Sequence, residues 1–472
     1  MLILLTAVFI LITIAKSFHY SIEYGGSDLR CRVVGSRLLA TGHSPYFYKW
    51  KAGDSELLLD PNANPNRIVN GNVATPAVLY SIYPLSKLSY PTIRFIWTIL
   101  QILAGFAVVF LVIKRSPGSE APGSESLGSE SQDLKFPGLK STEQFFAFVI
   151  VVLGLFCSEA FLYHVERGQV YVFFALFFAL SYYLFNASFR HHEFVSGFVG
   201  GIFVLFRPIA AVIGLGFLIN GKFKWLYGFA TGLVVGCLLF VAPRPALWQE
   251  YFSAMKAYNN EMLVKKEILV KKEMIANKEM LVKPDTIGKF DSVISSAIIN
   301  RQTSAASLPA EIEGSVNLQE IKTFNIDGLQ TVQTYLRKLN IEISNLHSVL
   351  LYAILICLLT LTYFRVSKTG FSSTKVYLFA FLAYILAELC MIAPRSGYNI
   401  IEWMFPLGLI YISIKNSAIL VIGLLTAVVV LHGFPIILPY QSAIAESVMI
   451  WALTCAIFRR RNMTGLHLSK SD

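Results

Sequence analysis

The chain contains the run IRFIWTILQILAGFAVVFLVI at residues 93–113, which is followed at once by Lys114 and Arg115. An apolar stretch of about 20 residues is long enough to cross the hydrocarbon layer of a membrane as one helix. Basic residues directly after such a run are typical of the cytoplasmic end of a membrane helix. This stretch therefore predicts a membrane-spanning helix and the side of the membrane on which it ends.

The composition extends this prediction to the whole chain. Of the 472 residues 55% are hydrophobic and only 15% are charged, and the mean hydropathy is +0.58. Similar runs recur and predict an all-α polytopic protein of about 12 transmembrane helices, with both termini cytoplasmic. The formal net charge of +11 fits cytoplasmic loops and a basic exterior insert better than nucleic-acid binding. The predicted spans are residues 1–15, 93–113, 144–163, 170–187, 194–206 with 208–219, 225–242, 347–365, 376–393, 398–414, 417–433 and 443–458.

The spans and the segments between them predict three modules. A Gly-Ser-Glu-rich linker of low complexity cannot bury a core and is predicted to be disordered. A tandem hexad repeat turns its charges around a helix rather than along one face, which favours a solvated helix over a coiled coil. The predicted modules are 1–242, with an exterior first loop at 17–92 and the cytoplasmic linker at 115–141; 243–345, an exterior loop with the hexad repeat at 261–284; and 346–472.

The exterior first loop carries one carboxylate, Asp28, ahead of a helical pattern that ends at Gly42. A lone carboxylate at the mouth of a membrane bundle could act as a general base on a hydroxyl. An aspartate just before a helix is also a common N-cap, which accepts hydrogen bonds from free backbone N–H groups. The residues alone favour the cap.

Polar residues also interrupt the apolar runs. Arg207-Pro208 splits one run, either as a kink in one helix or as a hairpin that returns inward, and an intramembrane arginine indicates a functional site. Arg167 and Gln169 lie between two spans and could hold a phosphate or a sugar hydroxyl, or simply reach the membrane interface. In the predicted topology, ionisable residues collect at the outer ends of the spans and predict a polar cavity that opens outward; they are Glu159, Glu166, Arg167, Arg207, Glu388, Arg395, Glu402 and Glu446.

Four stretches in this order resemble the family-87 glycosyltransferases of the GT-C superfamily. They are Asp28 with the helix that ends in LLATGHSPY, the junction ERGQVYVFFALFFAL, the run GGIFVLFRPIA, and the segment around Asn399, which stands near the place of a family histidine. The resemblance implies a GT-C-like bundle that transfers a sugar, with a mannose-like hexose as the first expectation. The donor would be a polyprenyl-phosphate sugar, and the acceptor a glycolipid or glycan on the outer side of the plasma membrane.

The resemblance also implies roles for single residues. Asp28 would be the general base of an inverting displacement, and Arg207 and Arg395 would neutralise the departing phosphate. The other substrate-binding residues would be Arg167, Gln169, Tyr398, Asn399 and Glu402. Because arginines can supply the positive charge, no metal and no cofactor is expected. A transporter or flippase for lipid-linked saccharides, which needs no base, and a ligase with a lipid-diphosphate donor are the alternatives.

Overall fold

A computed structural model describes residues 2–23, 25–59, 69–70, 73–114, 148–149, 151–258, 331–332, 336, 341, 344–366, 372–390, 397–414 and 441–458. The predicted linker 115–141, the hexad repeat 261–284 and the predicted span 417–433 lie outside these residues. Every regular element in the described part of the chain is helical, which confirms the all-α prediction.

The described α-helices, in chain order, are α1 Leu2–Glu23, α2 Ser27–Ala40, α3 Pro76–Ile82, α4 Tyr90–Lys114, α5 Glu159–Arg167, α6 Tyr171–Phe185, α7 His192–Phe206, α8 Ile213–Ile219, α9 Phe223–Phe240, α10 at 245–258, α11 Asn345–Val366, α12 Ser373–Cys390, α13 Met404–Ile414 and α14 Gln441–Phe458. Shorter elements stand between them: 3-10 helices at Glu56–Leu58, Tyr83–Leu85, Pro208–Val212 and Gly397–Trp403, and a π-helical turn at Val152–Phe156.

The chain forms two compact units. Unit 1 consists of Met1–Ser21, Ile96–Pro243 and Glu320–Asp472, and unit 2 consists of Ile22–Phe95 and Arg244–Gln319. The three predicted modules are divisions of membrane topology, whereas the two units are divisions by contact. The modules therefore stay a prediction.

Five helices of the described residues are long and apolar enough to cross a membrane. They are Leu4–Glu23, Tyr90–Val112, Phe223–Phe240, Leu346–Arg365 and Ser373–Cys390. A sixth span is counted if α5 and α6, which meet at an angle of 113°, act as one broken span. The prediction of a helical membrane protein is confirmed, whereas the total of about 12 helices stays a prediction.

Helix α1 is longer than the predicted span 1–15 and continues through Lys16 to Glu23. The added turns bury Ser17 and Ser21, which lie four residues apart and therefore on one face. Thr98 of α4 donates a hydrogen bond to Ser21 Oγ at 2.7 Å. This tertiary contact explains why α1 extends beyond the apolar run 1–15.

Glycines bring α7 and α9 into backbone contact. A Cβ atom added at Gly197 would lie 2.0 Å from the carbonyl oxygen of Trp225, and one at Gly228 would lie 1.9 Å from that of Phe194. Close approach of this kind is how membrane helices associate, because small residues permit backbone packing. This contact with α9 supports α7, the helix that ends next to Arg207.

Helix α7 ends at Phe206, and Arg207 leaves the helical conformation with φ −141° and ψ 88°. Pro208 accounts for this break, since a proline disfavours the helical conformation of the residue before it. The predicted interruption at Arg207-Pro208 is therefore confirmed.

Candidate functional site

Arg207 lies at this break, and its side chain remains 25% exposed while that of its partner Glu388 is 2% exposed. Nε of Arg207 donates to Glu388 Oε1 at 3.2 Å, and Nη2 donates to the same oxygen. Tyr384 Oη adds a third donor to that oxygen at 2.8 Å. One carboxylate oxygen thus orients one side of the guanidinium group, and the Nη1 edge takes no part in these bonds.

Two aromatic rings of α6 flank the same guanidinium group. Its Cζ atom lies 5.3 Å from the ring centre of Tyr171 and 5.8 Å from that of Phe174. Aromatic faces attract a cation without using its hydrogen-bond donors. The rings therefore hold the arginine in place. They leave its Nη1 group, which takes no part in the bonds to Glu388, available to an anion.

The 3-10 helix Gly397–Trp403 packs against α5 and α6 and supplies further polar groups. Glu402 is fully buried and acts electrostatically on Arg207. Asn399 is 3% exposed, and its Oδ1 atom has no hydrogen-bond partner within the described residues. Trp403 donates through Nε1 to Glu446 at 3.0 Å.

The junction of α5 and α6 brings more buried polar groups to this region. Gly168 ends α5 with φ 67°, a left-handed conformation that glycine adopts at little cost. Next to it Glu166 and Gln169 are each 2% exposed, and the guanidinium of Arg167 lies 5.8 Å from the Tyr163 ring centre. The Gln169 carbonyl accepts a 2.9 Å hydrogen bond from Gln101 Nε2 of α4.

Asp28 belongs to unit 2, where it lies in the first turn of α2 and is half-buried. The N-cap residue of this helix is Gly26, which has a left-handed conformation and no side-chain capping bond. The interpretation of Asp28 as an N-cap is therefore wrong, because the helix starts at Ser27, two residues earlier than a cap at Asp28 requires. The carboxylate instead lies where a helix N-terminus stabilises negative charge.

Three basic or phenolic groups surround the start of α2. Tyr90 Oη donates to the carbonyl oxygens of Gly25 and Gly26, the latter at 2.9 Å. The Arg30 guanidinium lies 5.2 Å from the Tyr90 ring centre, and that of Arg94 contacts Gly26 so closely that an added Cβ would lie 2.9 Å from it. Asp28, Arg30 and Arg94 all act electrostatically on Tyr90, so the carboxylate and the two guanidinium groups lie around the same phenol.

The loop after α2 is held by phenol groups whose pKa values are shifted. Burial raises the pKa of Tyr46 well above its usual range, with neighbouring Tyr251 and Glu250 adding to the effect. A hydrogen bond to Asp54 raises the pKa of Tyr48 to about 12. The same bond lowers the pKa of Asp54. Ser44 Oγ donates to Glu250 Oε2 of α10 at 2.5 Å, which joins the loop to that helix within unit 2.

The structure thus gathers five of the predicted site residues on neighbouring elements of unit 1, namely Arg167, Gln169, Arg207, Asn399 and Glu402. Asp28 is a member of unit 2. Arg395 and the side chain of Tyr398 lie outside the described residues.

Other polar residues of the site are not apparent from the sequence. Glu388 stands out only as a carboxylate near the end of a span, and its pairing with Arg207 bridges a large sequence separation. Trp97, Gln101 and His164 resemble ordinary core residues in the sequence, although a glutamine inside the run 93–113 is itself a polar signal. Within the described ranges, no three His, Cys, Asp or Glu side chains are grouped to hold a metal ion. The expectation of a metal-free site stays a prediction.

Comparison with known proteins finds one family model that matches part of this chain. The model for glycosyltransferase family 87 matches residues 74–298, which include Arg167, Gln169 and Arg207. No curated protein and no solved structure matches the chain. Together with helices of membrane-spanning length and composition, the match confirms the resemblance seen in the sequence: residues 74–298 of this membrane protein are similar to glycosyltransferase family 87.

Proposed function

We propose that the protein transfers a hexose, with mannose as the first candidate, from a polyprenyl-phosphate donor to a glycolipid or glycan acceptor. The reaction would take place on the outer side of the plasma membrane, with no cofactor and no metal. The observation that carries this proposal is the arrangement of Arg207. An oriented, partly exposed guanidinium group between aromatic rings suits the phosphate of a membrane-bound donor.

The proposed reaction is a single displacement. The acceptor hydroxyl gives its proton to Asp28 and forms a bond to the anomeric carbon, while the bond from that carbon to the phosphate oxygen breaks. The configuration of the anomeric carbon inverts, and polyprenyl phosphate leaves with an additional negative charge. Arg207, with Arg395 as a second proposed ligand, stabilises this charge as it develops.

The proposed base in unit 2 is supported by its own surroundings. Asp28 is half-buried in the first turn of a helix, and it acts on the same phenol, Tyr90, as Arg30 and Arg94 do. Gln169, Tyr398, Asn399, Arg167 and Glu402 are proposed to bind the sugar or the acceptor. The Gln169 carbonyl already accepts a hydrogen bond from Gln101, so we propose that this backbone bond positions the Gln169 side chain.

The test measures transfer from radiolabelled polyprenyl-phosphate mannose in proteoliposomes by the wild type and by Asp28→Asn. We expect a loss of roughly 100-fold or more in kcat with an unchanged melting temperature, as for removal of a general base. Asp54→Asn is the matched control, because it removes an exposed carboxylate of the same unit. Equal transfer by wild type and Asp28→Asn would refute the role of Asp28.

The same preparation separates the enzyme from the alternatives. A transporter or flippase would move the labelled lipid between leaflets in wild type and in Asp28→Asn alike, without forming a glycosylated product. A ligase would use a lipid-diphosphate-linked glycan and leave the monophosphate donor unused. Either result would contradict the proposed function, whereas a new glycosylated lipid that disappears in Asp28→Asn would support it.

A further inference from the structure

One face of α4 carries two buried polar side chains with atoms that lack partners. Trp97 is 7% exposed and Gln101 is fully buried. They lie four residues apart, so both are on the same face of the helix. Trp97 Nε1 and Gln101 Oε1 have no hydrogen-bond partner among the residues that the structure describes. Buried polar atoms are nearly always bonded, so a ligand or a water is expected here.

The orientation of the Gln101 amide is fixed by its neighbour. Its Nε2 atom donates to the backbone carbonyl of Gln169 at 2.9 Å, and it lies 3.3 Å from His164 Nδ1. A carbonyl oxygen can only accept, so the NH₂ group must be on that side. The oxygen of the amide consequently faces away from Gln169 as an acceptor.

This face of α4 is linked by contacts to Arg207. The Trp97 ring packs edge-on against Phe173 of α6 with 5.1 Å between ring centres. His164, next to Gln101, lies 6.4 Å from the Tyr171 ring, and Tyr171 flanks the Arg207 guanidinium at 5.3 Å. The start of α6 therefore connects this face of α4 with Arg207, through contacts made by His164 and Tyr171.

We propose that Trp97 and Gln101 form a binding site for the hydroxyl groups of a sugar ring. Sugar hydroxyls both donate and accept hydrogen bonds, which matches one N–H donor and one amide oxygen. In a lipid-linked sugar the ring is attached directly to the phosphate oxygen, so its binding residues are expected in the same unit as Arg207. This inference rests on the proposed function and adds to it the residues that recognise the sugar.

The test uses the same substitution at two tryptophans. Trp97→Phe removes an N–H that has no partner in the described structure and keeps an aromatic ring. Trp225→Phe removes an N–H that donates to Ser196 Oγ at 3.0 Å in the fully buried core. We expect Trp97→Phe to raise the KM for the lipid-linked sugar by about 3- to 10-fold with an unchanged melting temperature. Trp225→Phe should lower the melting temperature and leave the KM unchanged.

The probe is polyprenyl-phosphate mannose or, where wild type transfers another sugar, that sugar on the same lipid phosphate. A lower melting temperature with an unchanged KM in Trp97→Phe would show that a buried water occupies the face, which overturns the inference alone. Failure of wild type to transfer any polyprenyl-phosphate sugar overturns the proposed function, and the inference falls with it.

The sugar bound here could belong to the donor or to a glycan acceptor. Measuring KM separately for each substrate distinguishes them, because only the substrate whose hydroxyls contact Trp97 loses affinity. A rise confined to the donor KM supports the placement beside the Arg207 phosphate site. A rise confined to the acceptor KM keeps the hydroxyl-binding site but overturns the donor assignment.

Discussion

Arg37 in unit 2 and Arg207 in unit 1 are both arginines placed among apolar side chains, yet their surroundings differ. Arg37 is 8% exposed and donates to the backbone carbonyls of Ser86 and Leu88 at 3.0 Å and of Leu57 at 3.4 Å. Arg207 donates to one oxygen of Glu388 and to the Tyr384 hydroxyl at 3.4 Å, and it remains partly exposed. The comparison separates an arginine that holds a loop together from one that keeps binding capacity for a ligand.

The largest effect is expected from replacing the whole ion pair in unit 1. Arg207→Gln with Glu388→Gln removes both charges together, so neither partner of the ion pair is left as an unpaired buried charge. We expect a folded protein whose transfer rate falls by roughly 100- to 1,000-fold, as for loss of a group that stabilises developing charge. Transfer per folded protein in proteoliposomes measures it.

Glu388→Gln alone is the matched control, because it keeps the arginine. Its transfer rate should fall by less than about 10-fold, the scale of one weakened hydrogen bond. Near-normal transfer by the double variant would mean that the ion pair only stabilises the fold, and the distinction between Arg207 and Arg37 would be lost.

Arg37→Met should show the opposite behaviour. Three backbone carbonyls lose a donor, so we expect the free energy of unfolding to fall by roughly 2–3 kcal/mol. Thermal unfolding of the detergent-solubilised protein tests this. Transfer per folded molecule should stay at the wild-type level, and a selective loss of transfer would place Arg37 in the catalytic machinery.

A smaller effect is expected from the aromatic groups around Arg207. Tyr171→Leu removes one cation–π partner, which is worth about 1 kcal/mol and predicts a donor KM about 5-fold higher. Tyr183→Leu, on the same helix, removes a ring that lies 5.7 Å from the Lys114 ammonium and serves as the control. Equal KM values for the two variants would argue against the role of Tyr171.

The smallest effect concerns an exposed contact in unit 2. The Tyr48 hydroxyl donates to Asp54 Oδ2 at 2.5 Å, and this bond and the Lys51 N–H lower the pKa of Asp54. A lowered pKa in the folded state means that the contact stabilises the loop above the unfolded pKa of about 4 and is lost as the pH falls through the folded value. Hydrogen exchange of residues 48–58, corrected for intrinsic rates, should show protection that disappears at acid pH.

Asp54→Asn supplies the control for this loop. Its exchange protection should be lower at neutral pH and should not change further on acidification. A wild-type loop whose corrected protection is constant from pH 6 to about pH 3 would contradict the assignment.

The sequence predicts those features that depend on local pattern. The apolar run 93–113 lies within α4, and the break at Arg207-Pro208 follows from proline chemistry. The helical pattern after Asp28 becomes α2, but its start depends on left-handed Gly25 and Gly26 held by Tyr90, a contact between distant residues. For that reason the sequence predicts a cap at Asp28, whereas the structure places the cap at Gly26.

The site contains both kinds of information. Arg207 and Gln169 are visible as polar residues that interrupt apolar spans, whereas the pairing of Arg207 with Glu388 depends on how α7 and α12 pack. A search for charged residues does not find Trp97 and Gln101, because their importance comes from buried atoms that have no hydrogen-bond partner within the described residues. Which atoms have partners depends on how the helices pack and not on sequence spacing.

The most direct test of the assignment of Arg207 to a lipid phosphate compares donors that carry the same sugar. Wild-type protein in proteoliposomes is given radiolabelled mannose either on polyprenyl phosphate or on a nucleoside diphosphate, with membrane lipids as acceptors. We expect a labelled glycolipid from the polyprenyl-phosphate donor only. Product from the nucleotide donor alone, or from neither donor across a panel of hexoses, would contradict the assignment of Arg207 to a lipid phosphate.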